Sequence, residues 1–417
     1  MATCISPYVM ITLLRDYNAS VFQIGLISVI VQIGGFLLVF PITIIFNNFN
    51  RKKISVSLYF WGRSFFILLP VVFMSHIEKS NFFPSILLAI YALGAIVASS
   101  AAGLTQTWFK EIIPQNIQAT TLGKRAALST IVIGCLTPII GLFMEKYSLL
   151  GLDRKSMYAL LFTFAIIVGY IDIYFLSRVE RSSVISKKKF SYLLLEVKSI
   201  LKNRNNRNAS ILPILANVGA FIIAPFLILT YYDMGLNKFL VGIVVALSSA
   251  GIALGSVIAG YFSDKLLVRK VYLFSSFLRT FCHICFLILT VLTFSTFSFE
   301  LSKMVIFSIL AIISALIMIS QGCIATASVK YTYNTVKDNS SISFAFIIFI
   351  QGLITSLILS LAAKFGAFLS DKPNIFKIHL WNGFHYIQIL LLISVVLSLF
   401  SCIYLRKENL YKNVNLA

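Results

Sequence analysis

The sequence predicts an all-α membrane protein made of two six-helix bundles, the second repeating the first. Three observations carry that expectation: the composition, the number of long apolar runs, and a self-similarity at an offset of about 217 residues. Of 417 residues, 59% are hydrophobic and only 12% are charged, whereas a soluble surface needs about a quarter. Mean hydropathy is +0.92. A chain of this composition cannot cover a water-facing surface, and it is too apolar to be disordered. No glycine-rich phosphate loop with its lysine, no nucleophilic triad and no paired carboxylates occur, so the sequence offers no enzyme site and calls for no cofactor.

A bilayer-crossing helix needs about 20 apolar residues. Eleven runs qualify, at 21–46, 54–74, 85–107, 126–144, 157–176, 209–232, 239–261, 271–294, 304–324, 343–366 and 384–405. A twelfth run, 1–14, stops at Arg15-Asp16. It lacks the basic start and small-residue cleavage site of a signal peptide and reads as the outer end of a truncated helix 1. The first bundle is then 1–176, a basic linker 177–208, the second bundle 209–405 and a tail 406–417.

Lys and Arg total 35 against 14 Asp and Glu. With both termini in the cytoplasm, 23 of the 35 fall on inward segments and 10 on outward ones, as the positive-inside rule expects of an inner-membrane protein. The +21 net charge is therefore mainly a topology signal, and no nucleic-acid partner follows from it. The six cysteines lie in apolar runs, which implies no disulfide framework. In the linker, Phe190, Leu193, Leu194, Val197, Ile200 and Leu201 recur at helical spacing opposite Lys198 and Lys202. That pattern fits an amphipathic helix on the inner leaflet.

In the repeat, Asp16 falls on Asp233, Asn18 on Gly235, Phe22 on Phe239 and Gly25 on Gly242. One residue out of step, Ser6-Pro7-Tyr8 falls on Ala224-Pro225-Phe226. Six spans per half is an even number, so the halves share an orientation and their pseudo-two-fold axis runs along the membrane normal. Residue 209, where helix 7 begins, lies fifteen before Ala224, whereas Ser6 has five residues ahead of it. Either helix 1 is short at its inner end, or the native chain starts about nine residues further upstream by the repeat offset.

Between helices 8 and 9 the chain reads Gly260-Tyr261-Phe262-Ser263-Asp264-Lys265-Leu266-Leu267-Val268-Arg269-Lys270, and between helices 2 and 3 it reads Asn47-Asn48-Phe49-Asn50-Arg51-Lys52. These resemble the G-x-x-x-D-[RK]-x-G-[RK]-[RK] loops of the major facilitator superfamily. Gly260, Asp264, Lys265, Arg269 and Lys270 match, with one extra residue and no second glycine. In the first half only Arg51 and Lys52 remain, and Asn47 stands in place of the acid. The resemblance implies a cytoplasmic gating latch, working mainly from Asp264. Read without it, the same basic residues are topology signals. Trp108-Phe109-Lys110-Glu111-Ile112-Ile113-Pro114 with Gly123-Lys124-Arg125 is similar to the helix 4–5 loop of a poorly characterised bacterial subgroup of that superfamily. Helix 4 lacks the arginine of drug/proton antiporters, and helix 5 keeps only Pro138 and Gly141 of their glycine-proline pattern.

Polar side chains inside spans need a reason, because a charge there costs about 2.5–3.5 kcal/mol on insertion scales. Arg63 and Arg279 lie in equivalent helices 3 and 9 and either bind an anion in the cleft or brace their own bundles; bracing is the expectation. Asp172 in helix 6 either takes up a coupling proton or pairs with Lys124 or Arg125. Gln32, Asn217, Gln321 and Gln351 either orient a solute in the cavity or tie helices together. Tyr231-Tyr232 is an interface anchor or an outer aromatic gate. Cys282-His283-Ile284-Cys285 has metal-site spacing but stands alone, so no metal site is expected. The resulting expectation is a monomeric secondary transporter that moves an unidentified small solute by alternating access, with coupling to a proton or another ion. The alternatives are a non-transporting scaffold or sensor of the same fold, or an amphipath or lipid translocase.

Overall fold

The computed structural model describes residues 6–46, 49–75, 80–114, 117–179, 204–265, 268–294, 302–335, 341–371 and 385–407. The amphipathic pattern at 190–201 lies outside them. The described residues are helical almost throughout, and ten of their helices are long and apolar enough to cross a membrane. In chain order α1 is Pro7–Asp16, α2 is Val21–Leu37 continuing as Val39–Ile45, α3 is Arg51–Met74, α4 is Phe83–Ile112, α5 is Gln118–Lys146 and α6 is Arg154–Arg178. The second half holds α7 (Arg204–Ile223, continuing as Leu227–Asp233), α8 (Lys238–Lys265), α9 (Val268–Phe294), α10 (Lys303–Thr335), α11 (Ser341–Asp371) and α12 (Tyr386–Lys407).

The repeat is visible in backbone detail. Asn18 and Gly235 both adopt positive φ, 55° and 84°. Each sits just past the end of its helix, where the left-handed conformation favours glycine or asparagine. Ala19 N–H reaches back to the Leu14 carbonyl, and Leu236 N–H to the Tyr231 carbonyl, the same 6→1 closure 217 residues apart. The next helices are capped alike: Ser20 Oγ accepts from Gln23 N, and Asn237 Oδ1 from Leu240 N.

Pro225 explains the break in α7, since it has no N–H to donate and crowds the preceding turn. Its counterpart Pro7 opens α1, so α1 matches the outer segment of α7. Pro213 lies within the inner segment and deprives the Ala209 carbonyl of its helical donor. Gln351 Nε2 on α11 donates to that carbonyl at 2.9 Å, the kind of repair that lets proline persist in a membrane helix.

The halves meet along two equivalent seams, α2 against α11 and α5 against α8. Gly25 and Gly242 keep these seams tight. A Cβ at Gly25 would stand 2.9 Å from Ala363 Cβ, and one at Gly242 3.2 Å from the Thr137 carbonyl. Large apolar side chains such as Leu128, Phe164, Phe175 and Leu361 are exposed on the outside of the bundle, where lipid is their solvent. Inside the first half Phe73 stacks with Tyr158 and Phe162 at 5.6 and 5.9 Å between ring centroids.

Candidate functional site: a cavity between the halves

A cavity of about 320 Å³ lies midway along the helices, between α1 and α2 on one side and α7, α9, α10 and α11 on the other. Its polar lining is Ser28 and Gln32 from the first half and His283 and Gln321 from the second; the rest is apolar, with Phe221 and Phe286 supplying aromatic faces. No carboxylate, lysine or arginine is among the lining residues. The wall is built mainly by the second half, because the break at Pro225 opens α7 where α1 begins at Pro7.

Side-chain contacts cross between the halves at both ends of the cavity. At the end assigned to the outside by the charge bias, Lys238 Nζ at the start of α8 meets Asp16 Oδ2 at the end of α1 at 2.5 Å. The same Asp16 oxygen accepts from Tyr158 OH at 2.8 Å, and Tyr8 OH donates to the Lys238 carbonyl at 2.6 Å. Thr12 Oγ1 and Tyr232 OH are 2.6 Å apart, with the Arg15 guanidinium 4.4 Å from the Tyr232 ring centre. Glu145 of α5 accepts from Phe239 N and Asn237 Nδ2, both at 3.1 Å. A carboxylate at that position satisfies exposed N–H groups and the positive end of the α8 dipole. Tyr232 therefore takes part in the outer closure, while Tyr231 bonds Ser314 within its own half.

At the opposite end Tyr333 OH of α10 donates to Gln106 Oε1 of α4 at 2.8 Å. Phe40 packs on Phe346 and Phe349 with centroids 5.8 and 5.7 Å apart, and Lys110 Nζ lies 5.5 Å from the Phe344 ring centre. The cavity is thus flanked by cross-half contacts on both sides.

The sequence-derived site residues are distributed as follows. Gln32 and Gln321 line the cavity. Asn217 and Gln351 do not: Asn217 Nδ2 donates to the Pro213 carbonyl, and Gln351 repairs the Ala209 carbonyl. Arg279 is buried inside its own half, donating to Ser320 Oγ at 2.9 Å, the Ala216 carbonyl at 3.1 Å, Gln321 Oε1 at 2.8 Å and Asn217 Oδ1. This is a brace across α7, α9 and α10. Arg63 turns to α6, where it bonds the Gly169 carbonyl and forms an ion pair with Asp172. That pair corrects the expectation that Asp172 would meet Lys124 or Arg125; the Arg125 guanidinium instead lies 4.4 Å from the Phe109 ring centre. Neither Arg63 nor Asp172 lines the cavity.

Among the loop residues, Arg51 forms a buried ion pair with Glu111, tying the start of α3 to the end of α4. Lys52 Nζ donates to the Val179 carbonyl at 2.5 Å, joining α3 to the end of α6. Gly260 packs on α5, a Cβ there standing 3.1 Å from the Ala119 carbonyl, and Lys270 is exposed. The side chains of Asp264, Lys265 and Arg269, and residue Asn47, lie outside what is described. Sequence reasoning missed His283 as a wall residue and the Asp16–Lys238 closure. The alignment of Asp16 with Asp233 at the same turn was the signal for the closure.

Two equivalent helical bundles closing around a mid-membrane cavity define the class: a membrane transporter of the alternating-access type. The sequence model of the Major Facilitator Superfamily matches residues 1–211 and again 209–416, once per half, and the chain belongs to that superfamily. Similar solved structures include the nucleoside transporter NupG (10% identity, 99% of this chain and 96% of that one, TM-score 0.67). Another is the xylose transporter XylE from E. coli in a partially occluded inward open conformation (12%, 95% and 93%, 0.63). A third is a bacterial homologue of the iron transporter ferroportin in an outward-facing state (15%, 92% and 89%, 0.56). At these identities the likeness is one of fold. No curated protein sequence matches the chain.

Proposed function

We propose that the protein moves a small solute across the cytoplasmic membrane as a monomer, by alternating access to the central cavity, with both termini in the cytoplasm. The carrying observation is the placement of the cavity between cross-half contacts at both ends, each made of a few polar or aromatic pairs. Such contacts can break when the halves rock, whereas the glycine-lined seams α2–α11 and α5–α8 can act as hinges. The similar solved structures are those of a nucleoside transporter, a xylose transporter and a bacterial homologue of an iron transporter, which supports small-solute transport here and leaves the solute to be read from the cavity.

Coupling to a proton or another ion remains part of the reading. The structure supports Asp16 as the acid to test, because its partner Lys238 belongs to the other half. Asp172, the sequence-derived coupling candidate, pairs with Arg63 inside its own half, which favours a bracing role. Arg51 with Glu111 is assigned to the inner latch together with Asp264 and its basic neighbours. Proteoliposome uptake of a solute panel tests the reading: gradient-dependent flux of a solute that also protects the cavity from labelling supports it. Flux-free protein that nevertheless labels from both sides would make it a scaffold.

A further inference from the structure

We infer that the cavity takes an uncharged, largely apolar solute that offers one hydrogen-bond donor to His283 and one acceptor to Gln321. This rests on the transport reading and adds the substrate class. The directions of three hydrogen bonds lead to it. The Ser394 hydroxyl has a single proton, and the Gly219 carbonyl 2.8 Å away can only accept, so Ser394 donates there. His283 Nδ1 lies 2.8 Å from the same Ser394 oxygen. With the Ser394 proton committed, that contact is a hydrogen bond only if Nδ1 carries its own proton and donates it. The partner of one ring nitrogen sets the role of the other. Nε2 is left as the lone-pair atom of the neutral ring, and it has no partner among the described residues. His283 lines the cavity, so the wall presents an acceptor there.

Gln321 is fixed from its other side. A guanidinium has donors only, so the Gln321 atom facing Arg279 Nη2 at 2.8 Å is its carbonyl oxygen. Its amide NH₂ is then free to turn to the cavity, which Gln321 also lines. Arg279 is held at the same time by Ser320, Ala216 and Asn217, is buried and is not among the residues lining the cavity, so its part is to orient Gln321. The wall thus offers one oriented acceptor and one oriented donor, with Ser28 and Gln32 opposite.

The rest of the lining selects against other classes. Among the described residues no charged side chain is on the wall, so an ionised solute would lose its hydration without gaining a counter-charge. A sugar presents hydroxyls around its whole rim, and those facing the apolar remainder of the lining would be left unpaired, which weakens binding. The aromatic faces of Phe221 and Phe286 and a volume of about 320 Å³ suit a small ring bearing an amide or lactam, whose N–H and C=O match the two wall groups.

The test is titration calorimetry on the purified full chain in detergent with four probes: benzamide and 2-pyridone as neutral donor-acceptor rings, benzoate as the anionic counterpart, and glucose. The neutral rings should bind at least tenfold more tightly than benzoate or glucose. Gln321→Glu keeps an oxygen for Arg279 but removes the amide donor, and should weaken both neutral rings tenfold or more. Ser394→Ala frees the His283 tautomer and should weaken them severalfold, which keeps the idea testable if Gln321→Glu does not fold. Tighter binding of benzoate or glucose, no binding of either neutral ring, or unchanged affinity in both variants overturns it. Alternating labelling of the cavity from the two sides reads the transport mechanism separately, so the substrate class can fall while transport stands.

Discussion

Removing the Asp16 charge should open the outer side of the cavity. Asp16 and Lys238 are 2.5 Å apart, with side chains 14% and 22% exposed; bare Coulomb attraction at an effective dielectric near 20 would be about 7 kcal/mol. Most of that is offset by lost hydration and by screening at the exposed edge, leaving about 2 kcal/mol. If the pair forms only when the outer side is closed, its loss shifts the closed-to-open ratio about thirtyfold. Asp16→Asn keeps the size of the side chain and an acceptor for Tyr158 OH, so the change is mainly one of charge. The assay is the rate at which a single cysteine at Gln32, in a background with the native cysteines replaced, reacts with an impermeant maleimide added outside. The expected outcome is a large rise in rate, equalled by Lys238→Met and not increased further in the double variant, as a shared interaction requires. Equal rates in the wild type and Asp16→Asn, or additive effects of the two changes, would refute the reasoning.

Arg279→Gln should lower the melting temperature and the yield, because Ala216, Asn217, Ser320 and Gln321 lose their common donor, while protein that folds keeps transport with weakened affinity, since Gln321 loses the partner that orients it; complete loss of transport at normal stability would instead put Arg279 at the solute. Gln351→Leu should destabilise the second half by about 1–3 kcal/mol, the cost of an unsatisfied buried acceptor at Ala209, read by thermal unfolding. Arg63→Gln should destabilise the first half, because it leaves Asp172, which is 62% exposed within a membrane span, as a charge without its partner, at a cost of up to about 2.5–3.5 kcal/mol on insertion scales, and transport by the folded protein should persist. Asp264→Asn should slow cycling at normal insertion, with a changed inward-to-outward balance by cysteine accessibility.

The fold was legible because lipid imposes few solutions: length and apolarity determine the spans, and the Asn18/Gly235 correspondence reflects a backbone conformation that few residues tolerate. Gln351 and Arg279 illustrate what was not. An amide or a guanidinium in a span needs partners, but which helix provides them depends on rotation about the helix axis, and a one-residue change moves a side chain by about 100°. Arg63 and Arg279 occupy equivalent helices yet turn to different neighbours, one to α6 and the other to α7 and α10. His283 was hidden by its Cys-x-x-Cys setting, which drew attention to metals. Its place on the wall depends on Ser394 of α12, about 110 residues away in sequence. The Asp16–Lys238 closure pairs residues more than 200 apart, and only the packing of α1 against α8 brings them together.

The central claim is that one cavity is reached alternately from the two sides. A cysteine replacing Ser28 on the cavity wall reads this directly, labelled from either face of inverted and right-side-out vesicles. Chemical cross-linking of cysteines at positions 16 and 238 should block labelling from outside and preserve it from inside, and cross-linking at positions 106 and 333 should do the reverse. Labelling from one face only, or locks that leave both faces equally reactive, would contradict alternating access.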